Sequence, residues 1–244
     1  MLTVVNKIRK GKAIFFLKCN QLLYLITFVH ILCGSRQMRF YLVRHGKTEF
    51  NLVRRFQGGA VDSPLLPESI INAQKVGSYL ADLKFAGAFA SPQERAVVTA
   101  QNIVDQWEVA PKIKKIAALR EMNFGKWDGD LVAAHQGEEL FEQFLKYPSQ
   151  FEGEKLGGEN YYQFTHRVQA GLKSIFEEGF KAEENVLVAA HALVISFAVK
   201  SLLGKSFEEI RAAGLVANTS VTVLETNDFN EFKLLDWNNT NFLI

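Results

Sequence analysis

The stretch "FYLVRHGKTEFN", residues 40–51, joins an apolar run directly to a cation and an imidazole. The apolar and β-favouring run predicts a buried strand over residues 39–43. Arg44, His45 and Gly46 follow that strand without any polar spacer. Because open α/β sheets bind ligands at the carboxyl ends of their strands, this arrangement indicates a ligand site at the end of the first strand.

Downstream of this stretch, the sequence alternates between strand and helix patterns. Helices are predicted over residues 69–83, 95–107, 131–147, 161–176 and 193–203, and strands over residues 88–90, 112–116, 185–190, 220–225 and 232–237. Strands separated by helices predict an α/β domain with a largely parallel central sheet. We place one domain at residues 38–244, with an insertion or lid at about residues 121–160.

The first 37 residues differ from the rest in charge and in cysteine content. They hold six lysines and arginines and no acidic residue, so the remaining residues carry −4 against an overall +2. A mildly acidic body gives no reason to expect nucleic acid as a partner. Both cysteines, Cys19 and Cys33, lie in this first segment. The body therefore has no thiolate nucleophile, no disulfide and no cysteine-based metal site.

Residues 1–37 admit three interpretations. Their basic start, the apolar run over residues 22–33 and the small residues after it resemble a signal peptide. The run is short for a membrane span, and Met38 directly precedes the first strand, which favours an upstream extension outside the functional protein. A signal or anchor comes second and a docked structural segment third. We therefore expect a cytoplasmic protein, or an exported one if the segment is a signal peptide, with membrane attachment only through an anchor.

Three predicted strand ends carry similar residues. Arg44 and His45 follow the first strand, Arg95 lies at the start of the helix after the second, and His191 follows the strand over residues 185–190. At one edge of a sheet, these side chains should converge on a single crevice. Arginine forks match phosphate oxygens and helix N-termini favour anions, so the combination suits a phosphoryl group.

Within this set, His45 suits the role of nucleophile and Glu121 that of proton donor. A neutral imidazole can attack phosphorus while a backbone carbonyl holds its second nitrogen. Gly46 would let the backbone pass close to the ligand. Glu121 precedes an aromatic turn, and a carboxyl near Phe124 and Trp127 would have a raised pKa and could act as a general acid.

Five motifs carry a resemblance to a known family. They are "LVRHGKTEFN", "SPQERAVVTA", "LREMNFGKWDG", "GGEN" and "VLVAAHALV". In this order and approximate spacing, the sequence resembles the histidine phosphatase superfamily, the phosphoglycerate-mutase-like proteins, over residues 38–244. The resemblance implies a three-layer α/β/α fold and a reaction that uses neither a metal nor another cofactor.

The resemblance also implies a role for each matching residue. His45 would attack phosphorus and become phosphohistidine, while Arg44, Arg95 and His191 hold the phosphoryl oxygens. Glu121 would protonate the leaving oxygen and then activate water.

Four further residues belong to the predicted phosphate or substrate site through the same resemblance. Asn51 and Gln57 would line the pocket, and Thr48 would support the first loop. Ala192 would offer its backbone N–H to the phosphoryl group. It stands where glycine is typical in the family, so its methyl group is expected to tighten the pocket.

The sequence departs from the family pattern at three other positions. Lys47 stands where an acidic residue is frequent, Ser69 replaces a glycine, and Asn160 replaces a serine after "GGE".

Other histidines and aromatic residues have simpler interpretations. His135 is expected on a solvent-facing helix and His166 beside Arg167, and neither is expected to be catalytic. Arg167 would tie its helix to an acidic partner. Four aromatic residues flanking the lid are interpreted as lid packing: Tyr147, Phe151, Tyr161 and Tyr162.

The resemblance favours a phosphatase that acts on small phosphorylated metabolites. Only 36 positions separate Glu121 from Gly157, and the mutases that the chain resembles carry a longer segment there. Water should therefore reach the phosphohistidine, which favours hydrolysis. One alternative is a 2,3-bisphosphoglycerate-dependent phosphoglycerate mutase. The other is a non-catalytic phospho-ligand-binding protein, although such proteins usually lack the nucleophile or the acid.

Overall fold

One mixed sheet organises the part of the chain that this computed structural model describes, residues 37–178 and 184–244. Its strands are β1 (Met38–Arg44), β2 (Phe85–Ala90), β3 (Ile113–Lys115), β4 (Glu184–Ala190), β5 (Val221–Thr226) and β6 (Phe232–Asn239). They lie in the order β3-β2-β4-β1-β5-β6. The strands from β3 to β1 pair in parallel, whereas β5 is antiparallel to both β1 and β6. The predicted α/β class is confirmed, with the parallel part of the sheet on one side of β5.

Helices cover both faces of this sheet. They are α1 (Glu49–Leu52), α2 (Pro67–Leu80), α3 (Glu94–Val104), α4 (Glu139–Lys146), α5 (Tyr161–Glu177), α6 (Ala192–Leu202) and α7 (Phe207–Ala212). Val43 of β1 belongs to a core cluster with Ala73 of α2 and Ile103 of α3. Phe40 belongs to a second cluster with Phe164 of α5. Since odd and even side chains of a strand face opposite sides, β1 contributes to both, and the three-layer architecture is confirmed.

The predicted helix over residues 131–147 is wrong. The stretch forms a short 3₁₀ turn, Val132–His135, and then α4. Gly137 separates them with φ +91°, a conformation outside any right-handed helix. The helix α7, which the sequence patterns did not predict, begins with a capping box in which Ser206 and Glu209 bond each other's backbone amides.

Residues 121–160 pack on the core through a chain of aromatic rings. Phe56 stacks on Trp127 with ring centroids 5.2 Å apart, and Phe144 lies 5.9 Å from Tyr161. Tyr161 in turn stacks on Phe197 of α6 at 4.5 Å. Four aromatic residues are predicted to pack in the lid. Phe151 and Tyr161 are buried, in agreement with that prediction, whereas Tyr147 and Tyr162 are exposed.

The interpretations of residues 1–37 fall almost wholly on residues 1–36, which lie outside the described part of the chain. Within residues 37–178 and 184–244, no helix has the length and apolar character needed to cross a membrane.

The contact between α2 and α3 depends on Gly77. A Cβ at this position would lie 2.4 Å from the carbonyl oxygen of Ile103 and 2.9 Å from the Cβ of Gln106. Helix propensity alone would make Gly77→Ala stabilising by about 0.5–1 kcal/mol. Because the clash is with backbone, the helices must separate, and we expect a net loss of about 1–3 kcal/mol in the free energy of unfolding, measured by urea denaturation.

Ser78→Ala provides the matched control, since Ser78 is exposed on the same helix. It should change the free energy of unfolding by less than about 0.5 kcal/mol. A Gly77→Ala protein as stable as the parent would show that this helix contact tolerates a methyl group.

Candidate active site

The carboxyl ends of β2, β4 and β1 lie side by side, because these three strands are adjacent and parallel. Arg44 is in register with Ala190. The residues after them, His45 and His191, therefore become neighbours, with ring centroids 5.2 Å apart. Arg95, the second residue of α3, enters from the end of β2 and acts electrostatically on both rings. The predicted convergence of the strand ends is confirmed.

His45 is held as a neutral imidazole with a defined tautomer. Its Nδ1 lies 2.7 Å from the carbonyl oxygen of Gly46. A carbonyl can only accept, so Nδ1 carries the proton and Nε2 keeps its lone pair. Burial lowers the pKa of His45 well below its usual range, and the charges of Arg95 and Arg44 lower it further. The second nitrogen is thus held by a backbone carbonyl, as the sequence predicted.

His191 is fully buried at the end of β4. Its Nε2 lies 2.7 Å from the hydroxyl oxygen of Ser91, which immediately follows β2. Burial lowers the pKa of this imidazole as well, and the charges of Arg95 and Arg44 lower it further. Its Nδ1 has no hydrogen-bond partner among the described residues.

The guanidinium groups of both site arginines donate hydrogen bonds to oxygen atoms of the protein. Arg44 donates to Val216 from Nη1 at 2.6 Å, and burial lowers its pKa to about 10. Arg95 donates to Asp62 at 2.9 Å and to the carbonyl of Gln57 at 3.1 Å. The Nε atoms of both arginines are buried and have no hydrogen-bond partner among the described residues. Buried donors of this kind are satisfied when an anion accepts from them.

Glu121 is buried and interacts electrostatically with both site arginines. Its Oε1 accepts from the amide of Met122 at 3.0 Å, and its Oε2 accepts from Leu193, in the first turn of α6, at 3.2 Å. Burial raises the pKa of Glu121, and this effect exceeds the opposing effects of the two amides and the site arginines. The raised pKa agrees with the prediction, but its cause is burial, while Phe124 and Trp127 pack in the aromatic cluster around Phe56.

The first loop is held together by Thr48, Asn51 and Gln57. Thr48 and Asn51 form the capping box of α1. The fully buried hydroxyl of Thr48 donates to the side-chain oxygen of Gln57 at 2.7 Å, and Gln57 donates to Ser63 at 2.9 Å. The support that Thr48 gives the loop is confirmed, and the side chains of Thr48 and Gln57 are engaged with each other in this structure.

The space that Gly46 leaves free is filled by Ser69. A Cβ on Gly46 would lie 2.6 Å from the Cβ of Ser69, whose hydroxyl donates to the carbonyl of Lys47 at 2.8 Å. The glycine is therefore needed for close packing of the loop against the start of α2. The prediction from the sequence was that Gly46 lets the backbone pass close to a ligand.

Two further departures from the family pattern lie at helix N-termini. Ala192 is the first residue of α6, and His191 is its N-cap. Its backbone N–H thus lies at a helix N-terminus whichever small residue stands there. Asn160 caps α5 through a capping box with Gln163, and asparagine serves this purpose as well as serine.

His135 differs from its prediction, whereas Arg167 agrees with it. The ring of His135 lies 5.0 Å from that of Trp127, and its two nitrogens lie within 3.2 Å of the carboxylates of Asp130 and Glu138. It therefore sits at the edge of the aromatic cluster on a 3₁₀ turn. Arg167 pairs with Glu159 through two hydrogen bonds of 2.7 Å, as predicted.

The sequence patterns missed three residues that hold the site. Ser91 and Gln93 follow β2, and their position after a strand could have drawn attention to them. Gln93 donates to the carbonyl of Gly58 at 2.8 Å and accepts from the amide of Glu121 at 2.9 Å. Asn218 donates to the carbonyl of His45 at 3.0 Å, and no motif marks it. It precedes β5, which is antiparallel and so brings its start to this edge.

No cluster of three or more histidine, cysteine, aspartate or glutamate side chains suited to a metal ion is present in residues 37–178 and 184–244.

Comparison with known proteins identifies the family. A profile described as the histidine phosphatase superfamily (branch 1) matches residues 40–240. The chain belongs to the histidine phosphatase superfamily. It is thus a phosphatase enzyme, and it shares the phosphoglycerate mutase-like fold.

Relatives of this histidine phosphatase carry more than one activity in their names. The chain is 29% identical to the adenosylcobalamin/alpha-ribazole phosphatase of Escherichia coli, over 70% of this chain and 82% of that protein. It is 33% identical to the 2,3-bisphosphoglycerate-dependent phosphoglycerate mutase of Brucella melitensis, over 75% and 89%. Among solved structures, Bacillus stearothermophilus YhfR is 26% identical with a TM-score of 0.76, covering 85% of this chain and all of that one.

The state of His45 can be measured directly. Because burial and two arginines disfavour its cation, we expect His45 to remain neutral, with the proton on Nδ1, down to a pH below 6.5. Side-chain ¹⁵N NMR with pH titration distinguishes the two tautomers. The His45→Gln variant identifies the signals of His45, and the His166→Gln variant identifies those of His166, an exposed histidine that serves as the reference. A His45 cation at pH 6.5, or a proton on Nε2, would contradict this electrostatic account.

Proposed function

We propose that this histidine phosphatase hydrolyses small phosphomonoesters through a phosphohistidine on His45, without a metal ion. The supporting observation is the Nδ1–H···O=C bond from His45 to Gly46 at 2.7 Å, which directs the Nε2 lone pair away from the protein backbone. His191 lies 5.2 Å from this ring, Arg44 and Arg95 act on it electrostatically, and each of the three carries a buried nitrogen without a hydrogen-bond partner among the described residues. A phosphoryl group supplies both the electrophile and the acceptors that this set requires.

In the first step, Nε2 of His45 forms a bond to phosphorus while the ester P–O bond breaks. Glu121 gives its proton to the departing oxygen, which leaves as an alcohol. Arg44, Arg95 and His191 donate to the phosphoryl oxygens, where negative charge is held throughout the transfer.

In the second step, Glu121 is a carboxylate and takes a proton from water. The water oxygen bonds to phosphorus, the P–N bond breaks, and His45 returns to its neutral form with inorganic phosphate as the product. One carboxyl group thus serves first as an acid and then as a base, which suits a group whose pKa is raised by burial.

A phosphoglycerate mutase is the second candidate. The mutase relatives from Brucella are 33% identical, and the aligned region spans 89% of their length. These relatives therefore match nearly end to end, and the short segment between Glu121 and Gly157 does not separate the two activities. Two rates decide between these functions: the 2,3-bisphosphoglycerate-dependent isomerisation of phosphoglycerate and the release of inorganic phosphate, measured on the same protein.

Removal of the nucleophile tests the phosphohistidine. Because His45 supplies the attacking atom, His45→Ala should lower p-nitrophenyl phosphate hydrolysis by at least about 10³-fold. Phosphate release is measured with EDTA present, and circular dichroism checks that the variant is folded. His166→Ala, at an exposed position on α5, is the matched control. A fully active His45→Ala protein would refute the mechanism, and an inactive parent protein would favour the non-catalytic alternative.

Removal of the proton tests Glu121. We expect Glu121→Gln to reduce kcat/KM by ~10²–10⁴-fold for alkyl phosphates, whose leaving group needs a proton. The loss should be much smaller for p-nitrophenyl phosphate, because p-nitrophenolate leaves without one. Glu142→Gln, on the exposed face of α4, serves as the control. Equal losses for both leaving groups would assign Glu121 to binding and reassign the acid.

A further inference from the structure

Asn218 connects the backbone of the proposed nucleophile to the side chain of Asn51. Its Nδ2 donates to the carbonyl oxygen of His45 at 3.0 Å and to Oδ1 of Asn51 at 3.4 Å. A carbonyl oxygen can only accept, so the end of the Asn218 amide that faces His45 must be its nitrogen. The second N–H of that nitrogen is the donor to Asn51. The carbonyl of His45 thereby sets the orientation of one amide, and that amide sets the orientation of the next.

The side-chain oxygen of Asn51 is fully engaged by donors from the protein. Besides Asn218, the backbone amide of Thr48 donates to Oδ1 at 3.3 Å, within the capping box of α1. An amide oxygen has two lone pairs, and these two donors use both. Turning the Asn51 amide over would place its NH₂ group against two other N–H donors. Asn51 is therefore fixed as a hydrogen-bond donor through Nδ2.

This donor is available to a ligand. Nδ2 of Asn51 has no hydrogen-bond partner within residues 37–178 and 184–244, and the side chain is only partly buried. The Nε atoms of Arg44 and Arg95 also lack acceptors among the described residues. All three groups donate and none accepts, so the partner that would satisfy them is an anion with several oxygens, as a phosphoryl group is.

The loop that carries Asn218 is held in one conformation. Thr219 has φ +55°, which is rare for a β-branched residue and persists only where the surroundings enforce it. Its amide donates to the carbonyl of Arg44 at 3.0 Å, and the carbonyl of Val216 accepts from the guanidinium of Arg44 at 2.6 Å. The side chain of Asn218 thus extends from a backbone that is fixed to the end of β1.

We infer that Asn218 is a positioning residue, which fixes the Asn51 amide so that its nitrogen donates to a phosphoryl oxygen of the substrate. The same contact links this amide to His45, which attacks phosphorus. Without Asn218, only the long bond from Thr48 would hold the amide. A share of the molecules would then turn the oxygen of Asn51 toward the phosphoryl oxygens, which repel it. This inference rests on the proposed function of the same site.

Inorganic phosphate tests this role, because it carries the oxygens of a phosphoryl group and needs no reaction. Isothermal titration calorimetry gives its Kd for the parent protein, Asn218→Ala, Asn51→Ala and the double variant. Each single substitution should weaken binding about tenfold, as expected for one hydrogen bond to a charged group. Because Asn218 acts through Asn51, the double variant should bind within about threefold of Asn51→Ala. An Asn218→Ala variant with the native Kd, or single losses that multiply to roughly a hundredfold, would overturn the inference.

Asn238→Gly is the matched control for loosening of the loop. The side chain of Asn238 accepts from the amide of Ala217 at 2.6 Å, directly beside Asn218, and glycine suits its φ of +54°. This variant should bind phosphate within about twofold of the parent, since it leaves the bonds of Asn218 to His45 and Asn51 in place. A loss as large as that of Asn218→Ala would assign the effect to the loop and overturn the role of Asn218.

The native protein gives a second readout that needs no folded Asn218 variant. The side-chain amide signals of Asn51 in ¹H–¹⁵N spectra, assigned with Asn51→Ala, should shift as phosphate saturates the site, because these protons form a new bond. Asn102, whose Nδ2 already donates to the carbonyl of Val98 at 2.9 Å, is the reference and should not shift. Asn51 signals that stay unchanged while phosphate binds would contradict the inference.

Failure of the proposed function gives a different result. A parent protein that binds phosphate but hydrolyses no phosphomonoester would refute the phosphatase mechanism, and the four Kd values would still decide the role of Asn218. An active parent protein whose double variant shows the multiplied loss would overturn the role of Asn218 and leave the mechanism standing.

Discussion

The parallel pairing of β1 with β4 is the constraint on which the site depends. Its register sets Arg44 opposite Ala190, so two chain segments nearly 150 residues apart deliver His45 and His191 to one point. A slip of one residue would turn the side chains of β1 to the opposite faces of the sheet. The two core clusters, one on each face, resist such a slip, because Phe40 and Val43 are fully buried on opposite sides.

Burial around this point has two opposite consequences. It lowers the pKa of His45 and of His191 and raises the pKa of Glu121, so that all three groups favour their neutral forms, as the proposed roles of His45 and Glu121 require. The same burial leaves the Nε atoms of Arg44 and Arg95 without acceptors, which costs stability in the free protein. A phosphoryl group would supply those acceptors, so the hydrogen bonds that the free protein lacks would form on binding and contribute to the binding free energy.

The two halves of the site are built in different ways. One half comes from residues at the ends of strands or in the first turn of the following helix, whose positions follow from the sheet. The half around Glu121 is held by side-chain bonds to backbone, with Gln93 and Arg167 fixing the turn that carries Arg120 and Glu121. Relatives named for different substrates are matched over most of the chain. Selectivity is therefore better sought in the side chains of this second half than in the shared fold.

The sequence by itself determined the α/β class, the three strand ends and the arginines and histidines that meet there, because a buried run followed by Arg or His is visible in one dimension. It also marked Glu121, beside an aromatic turn, as the candidate acid, and the resemblance to a family implied the same role. Tertiary structure decided what packing controls: the break of the helix at Gly137, the use of the space at Gly46 by Ser69, and the contact of Asn218 with His45. These depend on which distant segments lie against each other, and no local pattern encodes that. The electrostatic state of His45 belongs here too, since burial and two arginines from separate strand ends set its pKa.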